Sequence, residues 1–437
     1  MHHWTIPIAI CLLTSLSCAT AALQAVRSPS SRAFISPASK PAAKFSITQV
    51  KNPNWKPYSL STTDVYAAPF LKHKKPMPAP LRAAWNQSRV RGSNSHSGSL
   101  AARNDGQLVN GSDGLYVYLT KIGTPAQNLH LGFDTGAGDF WVWSWLLPAY
   151  MLENRIYYNG SNSSSASQWS GQSFGVSYGL GSTYGLVWQD TVWIDSIGVS
   201  GNPIECIQNV ADFFVQTLTA VDGFLGLSNA YNDSESPVPQ QTWMSYVMPH
   251  LAEPVFTTSL VQNGPGTMEF GFINSSRYTG IISYSPVTII PGSGGGFWAF
   301  NWTGFAIGSG KFNYTNLQVM TDTGGTIINL PRSIAKSYFA QVNGAAAASD
   351  GTWSFPCTSQ LPSFTFGVGK SGRMVVPGKH MVFGPLSDGV RCLAALQEVD
   401  ENQYVYMTLP FLQALFVVHD YGAMQMGFAN RPPTMDS

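Results

Sequence analysis

Two copies of one short pattern carry the chemistry of this chain. Leu131 to Trp145 reads Leu-Gly-Phe-Asp134-Thr135-Gly136-Ala137-Gly138-Asp139-Phe140-Trp141-Val142-Trp143-Ser144-Trp145, an acid on a tight Thr-Gly turn between two apolar runs. The turn recurs 188 residues on, in Val319-Met320-Thr321-Asp322-Thr323-Gly324-Gly325-Thr326-Ile327. One Asp-Thr-Gly says little, because most such tripeptides are only turns. Two of them, one in each half of the chain, point to a duplicated lobe that contributes one carboxylate from each copy. Two carboxyls sharing a proton can hydrolyse an amide without a metal or a covalent nucleophile. The ionised one takes a proton from water while the protonated one donates to the carbonyl oxygen, since close like charges cannot both ionise easily. Such a pair titrates as a unit, so neither Asp134 nor Asp322 is assigned as a fixed base.

Other chemistries have less support. His130, His250, His380 and His419 are scattered without the spacing of metal ligands, and no Cys-X-X-Cys occurs, so neither metal nor cofactor is expected. Gly292 to Gly296 lacks a following Lys-Ser/Thr and reads as a turn, not a phosphate loop.

The elements that must position the two acids read as β-strands. Charged residues are only 11% against 13% aromatic, with 42 Gly and 28 Pro, a balance that favours a β-rich extracellular protein. From Leu115 onward short apolar runs such as Leu115 to Leu119, Phe174 to Tyr178 and Val187 to Ile194 alternate with turn-forming clusters. Ile334 to Val342, following Pro331 and Ser333, is a rare helical candidate. Residues 86–113, rich in Ser, Gly, Asn and Arg, read as a linker.

The N-terminal region carries its own signals. The apolar run Ile6 to Leu16, followed by Cys18-Ala19-Thr20-Ala21-Ala22, reads as a secretory signal peptide over residues 1–21. No later stretch is long and apolar enough to span a membrane, and no lipid-anchor tail is read. Asn-X-Ser/Thr sites begin at Asn86, Asn110, Asn159, Asn162, Asn232, Asn274, Asn301 and Asn313, which suits a glycosylated surface. Near-neutral total charge hides an asymmetry. Residues 1–103 hold 13 Lys/Arg and one acid, whereas residues 104–437 hold 11 Lys/Arg and 22 Asp/Glu. A basic arm can be a disordered or nucleic-acid-binding tail. Behind a signal peptide and beside an acidic body, it is better explained as a pro-segment over residues 22–103 that docks at neutral pH and lets go in acid.

The chain resembles the pepsin-like aspartic proteases, most closely the secreted fungal penicillopepsin and aspergillopepsin kind. Landmarks run in order through nearly the whole chain: Lys44 to Pro53, Ile122-Gly123-Thr124-Pro125, Asp222 to Leu227, Phe270 to Ile273, Gly296-Phe297-Trp298 and Phe416 to Ala429. The resemblance implies an all-β, bilobal fold with an active-site cleft between pseudo-symmetric lobes, here residues 104–288 and 289–437. It implies Asp134 and Asp322 as the catalytic pair, Thr135 and Thr323 cross-linking the two loops, and Gly136 and Gly324 admitting close backbone. Ser177-Tyr178-Gly179-Leu180-Gly181-Ser182 resembles the flap, with the Tyr178 hydroxyl held by Trp141; Tyr178, Gly179, Leu180 and Ser182 would meet substrate. Met320 would line a neighbouring subsite or merely fill core. A Cys357–Cys392 disulfide is implied, closing a 36-residue loop and leaving Cys206 as a buried free thiol. A pro-segment lysine would sit on the two acids; Lys72, Lys74 and Lys75 are candidates.

Four positions depart from the family pattern. Ala137 and Gly325 stand where it usually has hydroxyl residues that bond the catalytic carboxyls. Leu180 stands where fungal relatives often carry an acid that pairs with substrate lysine. Thr408, in Tyr406-Met407-Thr408-Leu409, replaces a glycine behind the second catalytic loop. The expected protein is a secreted, monomeric endopeptidase, made as a zymogen with its own propeptide as inhibitor, cutting polypeptides between apolar residues at acid pH. It needs no cofactor, metal, nucleic acid or membrane anchor, and the vacuole is an alternative destination. The rival reading is a pepsin-fold protein that binds peptide with weak or no hydrolysis.

Overall fold

The computed structural model describes residues 43–53, 55, 58–93, 108–111, 116–178, 181–211, 214–215, 221–229, 234–291, 295–401 and 403–432. The signal-peptide reading, Gly179, Leu180 and Asn232 lie outside these residues. The chain builds a bilobal, predominantly β structure. A nine-stranded sheet belongs to the first half of the sequence, a seven-stranded sheet to the second, and a six-stranded sheet draws strands from both. In the shared sheet the hairpin Val255–Val261 and Gly264–Phe270 lies beside the hairpin Leu415–Asp420 and Gln425–Asn430, with Thr279–Pro286 at the far edge.

Why these segments form strands is visible in their side chains. Val255–Val261 and Leu415–Asp420 are rich in Val, Phe and Thr and are buried along almost their whole length, as strands covered on both faces require. His419 is buried there, which lowers its pKa to about 3, and it stacks on Phe256 at 4.2 Å. In the first lobe, Ser167–Tyr178, Gly181–Ile194 and Ile197–Val210 form a long antiparallel meander whose register shifts at two places between the last two strands.

Each lobe repeats one arrangement around its acid. Gln127–Asp134 runs parallel to Gly223–Gly226, with Gly226 opposite Asp134. Asn313–Asp322 runs parallel to Val405–Thr408, with Thr408 opposite Asp322. The duplication read from the two turns is therefore a duplication of their supporting strand pairs as well.

The segment before residue 104 is built into this frame. Phe45–Thr48 adds an edge strand to the shared sheet, with Phe45 stacked on Phe270 at 4.8 Å. Tyr58–Ser61 leads into the helix Thr62–Lys72, whose start is capped by Ser61 Oγ accepting from the Asp64 N–H. Val65, Tyr66, Ala67 and Phe70 from this helix pack with Leu81, Ile327, Leu393 and Val399, so its apolar face is buried against the second half of the chain. The Tyr66 hydroxyl donates to the Glu398 carbonyl (2.8 Å) and the Thr63 hydroxyl to Asp350 (2.7 Å).

Two expectations need correction. Residues 86–113 are not simply a linker. The helix Ala79–Ser93 takes in their first part, because Leu81, Ala83, Ala84, Trp85 and the arginines favour helix until Gly92 and Ser93. Leu108–Gly111 then pairs antiparallel with Tyr58–Ser61. The helix expected over 334–342 is present but starts and ends earlier, as Arg332–Phe339, with Pro331 at its cap. The Cys357–Cys392 disulfide is formed, and Cys206 is a buried free cysteine.

Candidate active site

Asp134 and Asp322 end their strands and meet at the junction of the lobes. The Thr135 N–H donates to Thr323 Oγ1 and the Thr323 N–H to Thr135 Oγ1, both at 3.0 Å, and the Thr323 hydroxyl donates to the Phe133 carbonyl at 2.8 Å. These reciprocal bonds tie the two loops together in a buried place where an unmade bond would be costly. Within each turn the glycine N–H donates to its own acid: Gly136 to Asp134 Oδ1 and Gly324 to Asp322 Oδ1, each 2.8 Å. Each glycine also faces the opposite acid. A Cβ on Gly136 would collide with the Asp322 carboxylate, and one on Gly324 with that of Asp134. The requirement for glycine here is one of close approach, not of φ.

A single ammonium joins the two carboxyls. Lys72 Nζ donates to Asp134 at 3.1 and 2.8 Å and to both Asp322 oxygens at 2.9 Å. His73, the next residue, places Nε2 3.0 Å from Asp322 Oδ2, stacks on Tyr406 at 5.2 Å and meets Phe297 edge-on. Of the three lysines weighed, Lys72 is the one in place; Lys75 instead lies over the Tyr404 ring, and Lys74 sits at φ 52° just past the helix end. His73 was missed by sequence reading, which considered only positive side chains opposite the acids. Its adjacency to Lys72 at the end of an apolar helix was the available signal.

Burial and charge oppose each other at this centre. Burial, reinforced by Asp322 and opposed by the Lys72 charge, raises Asp134 to about 6. For Asp322, burial acts upward, but the Lys72 ammonium and the His73 hydrogen bond outweigh it and hold the carboxyl well below the usual range. Burial also pushes Lys72 downward, yet the two carboxylates win and its charge is held firmly. Burial keeps His73 below its ordinary value despite Asp322, with the Lys72 charge acting in the same sense as burial.

The remaining expected residues fall as follows. Trp141 Nε1 donates to the Tyr178 hydroxyl at 2.8 Å, in an aromatic group with Phe214 and Phe224. Tyr178 pairs with Gly181 and Ser177 with the exposed Ser182 at the end of the flap-like hairpin. Met320 is fully buried beside Ile290 and Ala299, a packing that accounts for it as core filler. Ala137 and Gly325 follow their turns as the sequence requires. Thr408 is buried against Gly325, where a Cβ would come within 2.5 Å of the Thr408 methyl. Of the glycosylation candidates, Asn162 and Asn313 are exposed, Asn159 and Asn301 half-buried, and the Asn274 amide donates to Glu269 at 2.9 Å. Among the described residues no cluster of His, Cys, Asp and Glu has the makings of a metal site. Gly171-Gln172-Ser173-Phe174-Gly175 has the spacing of a hydrolase nucleophile elbow. Ser173 lies within a β-ladder opposite Leu186 and not on a strand-to-helix turn, so the match carries no chemistry.

Two β lobes meeting at paired Asp-Thr-Gly turns define the aspartic-protease fold. Residues 115–431 match the family model described as eukaryotic aspartyl protease, and the chain belongs to that family. It is 38% identical over 399 residues to endothiapepsin from Cryphonectria parasitica, covering 89% of this chain and 90% of that protein. To aspergillopepsin-1 from Aspergillus oryzae it is 32% identical over 401 residues, covering 90% and 93%. In fold it is similar to the crystal structure of aspartic proteinase from Irpex lacteus, with a TM-score of 0.60 at 22% identity over 72% of this chain and 94% of that one. Membership and fold together make it an aspartic endopeptidase.

Proposed function

We propose that the chain is a secreted zymogen whose catalytic pair is Asp134 and Asp322, activated by acid and directed to bonds between apolar residues. The observation that carries this reading is the Lys72 ammonium within 3.1 Å of oxygens from both carboxyls. It occupies the point midway between the acids that an attacking water would need. Once it leaves, two carboxyls remain side by side with one proton between them. The ionised carboxylate takes a proton from water as the oxygen attacks the peptide carbonyl carbon. The protonated carboxyl gives its proton to the carbonyl oxygen, and the roles reverse as the tetrahedral intermediate breaks and the amine leaves. Tyr178, held by Trp141, closes the flap over the peptide. Gly179, Leu180 and Ser182 complete that hairpin, and the apolar Leu180 disfavours lysine before the cut.

Secretion rests on the N-terminal signal, the disulfide and the glycosylation sites; the vacuole is the other destination this export route serves. Among the described residues no helix is long and apolar enough to cross a membrane. A peptide library digested by mature chain between about pH 3 and 7 tests the reading. The expected result is pepstatin-sensitive cleavage between apolar residues, absent in Asp134→Asn. Efficient cleavage after lysine would overturn the specificity, and activity in Asp134→Asn would overturn the pair.

A further inference from the structure

The two halves of the active site differ in one respect that their symmetry exposes. Opposite Asp134 in the first parallel strand pair stands Gly226; opposite Asp322 in the second stands Thr408. After the first turn comes Ala137, and Gly226 lies against the backbone of this loop: a Cβ on it would lie 2.4 Å from the Gly138 carbonyl carbon and 2.7 Å from the Ala137 carbonyl oxygen. After the second turn comes Gly325, and the side chain now sits on the neighbouring strand. A Cβ on Gly325 would be 2.5 Å from Thr408 Cγ2 and 3.1 Å from Thr408 Cβ. Bulk has moved from the loop to the strand behind it, so Gly325 and Thr408 are one exchange and not two independent losses.

The exchanged side chain carries a hydroxyl. Thr408 is 1% exposed, and its Oγ1 finds no hydrogen-bond partner among the described residues. A buried, unpaired hydroxyl is destabilising, a cost that valine of the same shape would avoid. The site that could use it is occupied. Asp322 Oδ1 accepts from the Gly324 N–H, and Oδ2 accepts from Lys72 and His73. Both of the latter belong to the helix end that must withdraw for substrate to enter. The point where a Gly325 Cβ would sit is 3.4 Å from Asp322 Oδ2, and the Thr408 methyl borders that point. One staggered step about χ1 brings the hydroxyl to the place of the methyl and the methyl to that of the Cβ hydrogen.

We propose that Thr408 is the positioning residue for Asp322: after Lys72 and His73 leave, its hydroxyl turns toward Asp322 Oδ2 and donates to it, doing from the strand what no side chain on Gly325 can do from the loop. This rests on Asp134 and Asp322 being the catalytic pair. A donor to the ionised carboxylate favours the charged form, so its loss moves the acid limb of the rate profile to higher pH.

The test measures kcat, KM and the pH profile of mature wild type, Thr408→Val, Thr408→Ser and Asp134→Asn on one chromogenic peptide. Thr408→Val keeps shape and burial while removing the donor. It is expected to lose about tenfold in kcat with KM little changed, and to shift the acid limb upward by roughly half a pH unit. Thr408→Ser keeps a rotatable hydroxyl and should stay within about twofold of wild type. Wild-type kinetics and pH profile in Thr408→Val overturn the proposal, as does Thr408→Ser failing as badly as Thr408→Val, which would make the methyl the working part. Activity surviving in Asp134→Asn instead overturns the catalytic pair, and this proposal with it.

Discussion

His73 Nε2 lies 3.0 Å from Asp322 Oδ2, one residue beyond the lysine that spans both acids. The docked segment therefore brings a titratable base to the centre as well as a fixed positive charge. While docked, His73 is kept neutral by burial; once released it regains an ordinary value near 6.5 and takes up a proton as pH falls below that. Docking thus loses strength from about pH 6.5 downward through His73. Asp322 acts in the same direction at lower pH. Lys72 and His73 hold it down only while docked, so its share of the stabilisation is present above its released value and is lost as pH falls toward the depressed docked one. Burial and Asp322, which raise Asp134, persist after release, whereas the opposing Lys72 charge leaves, so Asp134 is held lower while docked and acts in the same direction as Asp322. His73→Gln keeps a donor without the titration. Its onset of N-terminal processing, followed by gel in steps of pH, should move down by roughly 0.5–1 unit. An unchanged onset would mean His73 plays no part in the switch.

Tyr178 depends on one bond from Trp141 for the position of its hydroxyl. Trp141→Phe keeps the buried ring and loses the donor, which is worth about 1 kcal/mol, so kcat/KM on a peptide substrate should fall about fivefold. Equal kinetics in the variant would show that the flap tyrosine needs no such support.

Gly324 admits the Asp134 carboxylate at a distance that leaves no room for a methyl group. Gly324→Ala should cost at least about 100-fold in kcat, because a shift on the order of 1 Å between the acids is enough for that. Its circular dichroism should remain that of the wild type. Retention of activity would show that the acids tolerate displacement.

Cys357 and Cys392 close a loop with a sequence separation of 35. Replacing both by serine removes a restraint on the unfolded chain and should lower stability by about 3–4 kcal/mol. Chemical denaturation of the precursor at neutral pH reads this directly; an unchanged midpoint would contradict it.

Much of this site could be read from residue order because turns and close approaches are local demands. Asp-Thr-Gly fixes an acid on a tight turn wherever it occurs, whereas the pairing of Trp141 with Tyr178 was legible only through the family resemblance. What stayed hidden depends on contacts between distant residues. Lys72, Lys74 and Lys75 are alike in sequence, and only the length and cap of the Thr62–Lys72 helix bring the first of them to the acids. His73 carries no formal charge at neutral pH and so escaped a charge-based reading. Residues 86–113 looked like a linker by composition, yet Leu108–Gly111 finds its partner in Tyr58–Ser61, some 50 residues earlier. Gly325 and Thr408 read as two separate defects until the parallel pairing of Asn313–Asp322 with Val405–Thr408 put them in contact.

The central claim is that Lys72 silences a working pair of acids until acid releases it. The measurement that tests it is self-processing of purified precursor on a shift from neutral to about pH 3.5, where linkage predicts that the ion pairs fail. Asp134→Asn and a pepstatin-treated sample run beside it. The account predicts loss of about 80 N-terminal residues, the span from 22 to 103, in the untreated wild type alone. Equal processing in Asp134→Asn, or an intact wild-type precursor whose separately made mature chain cleaves no denatured protein, would contradict it.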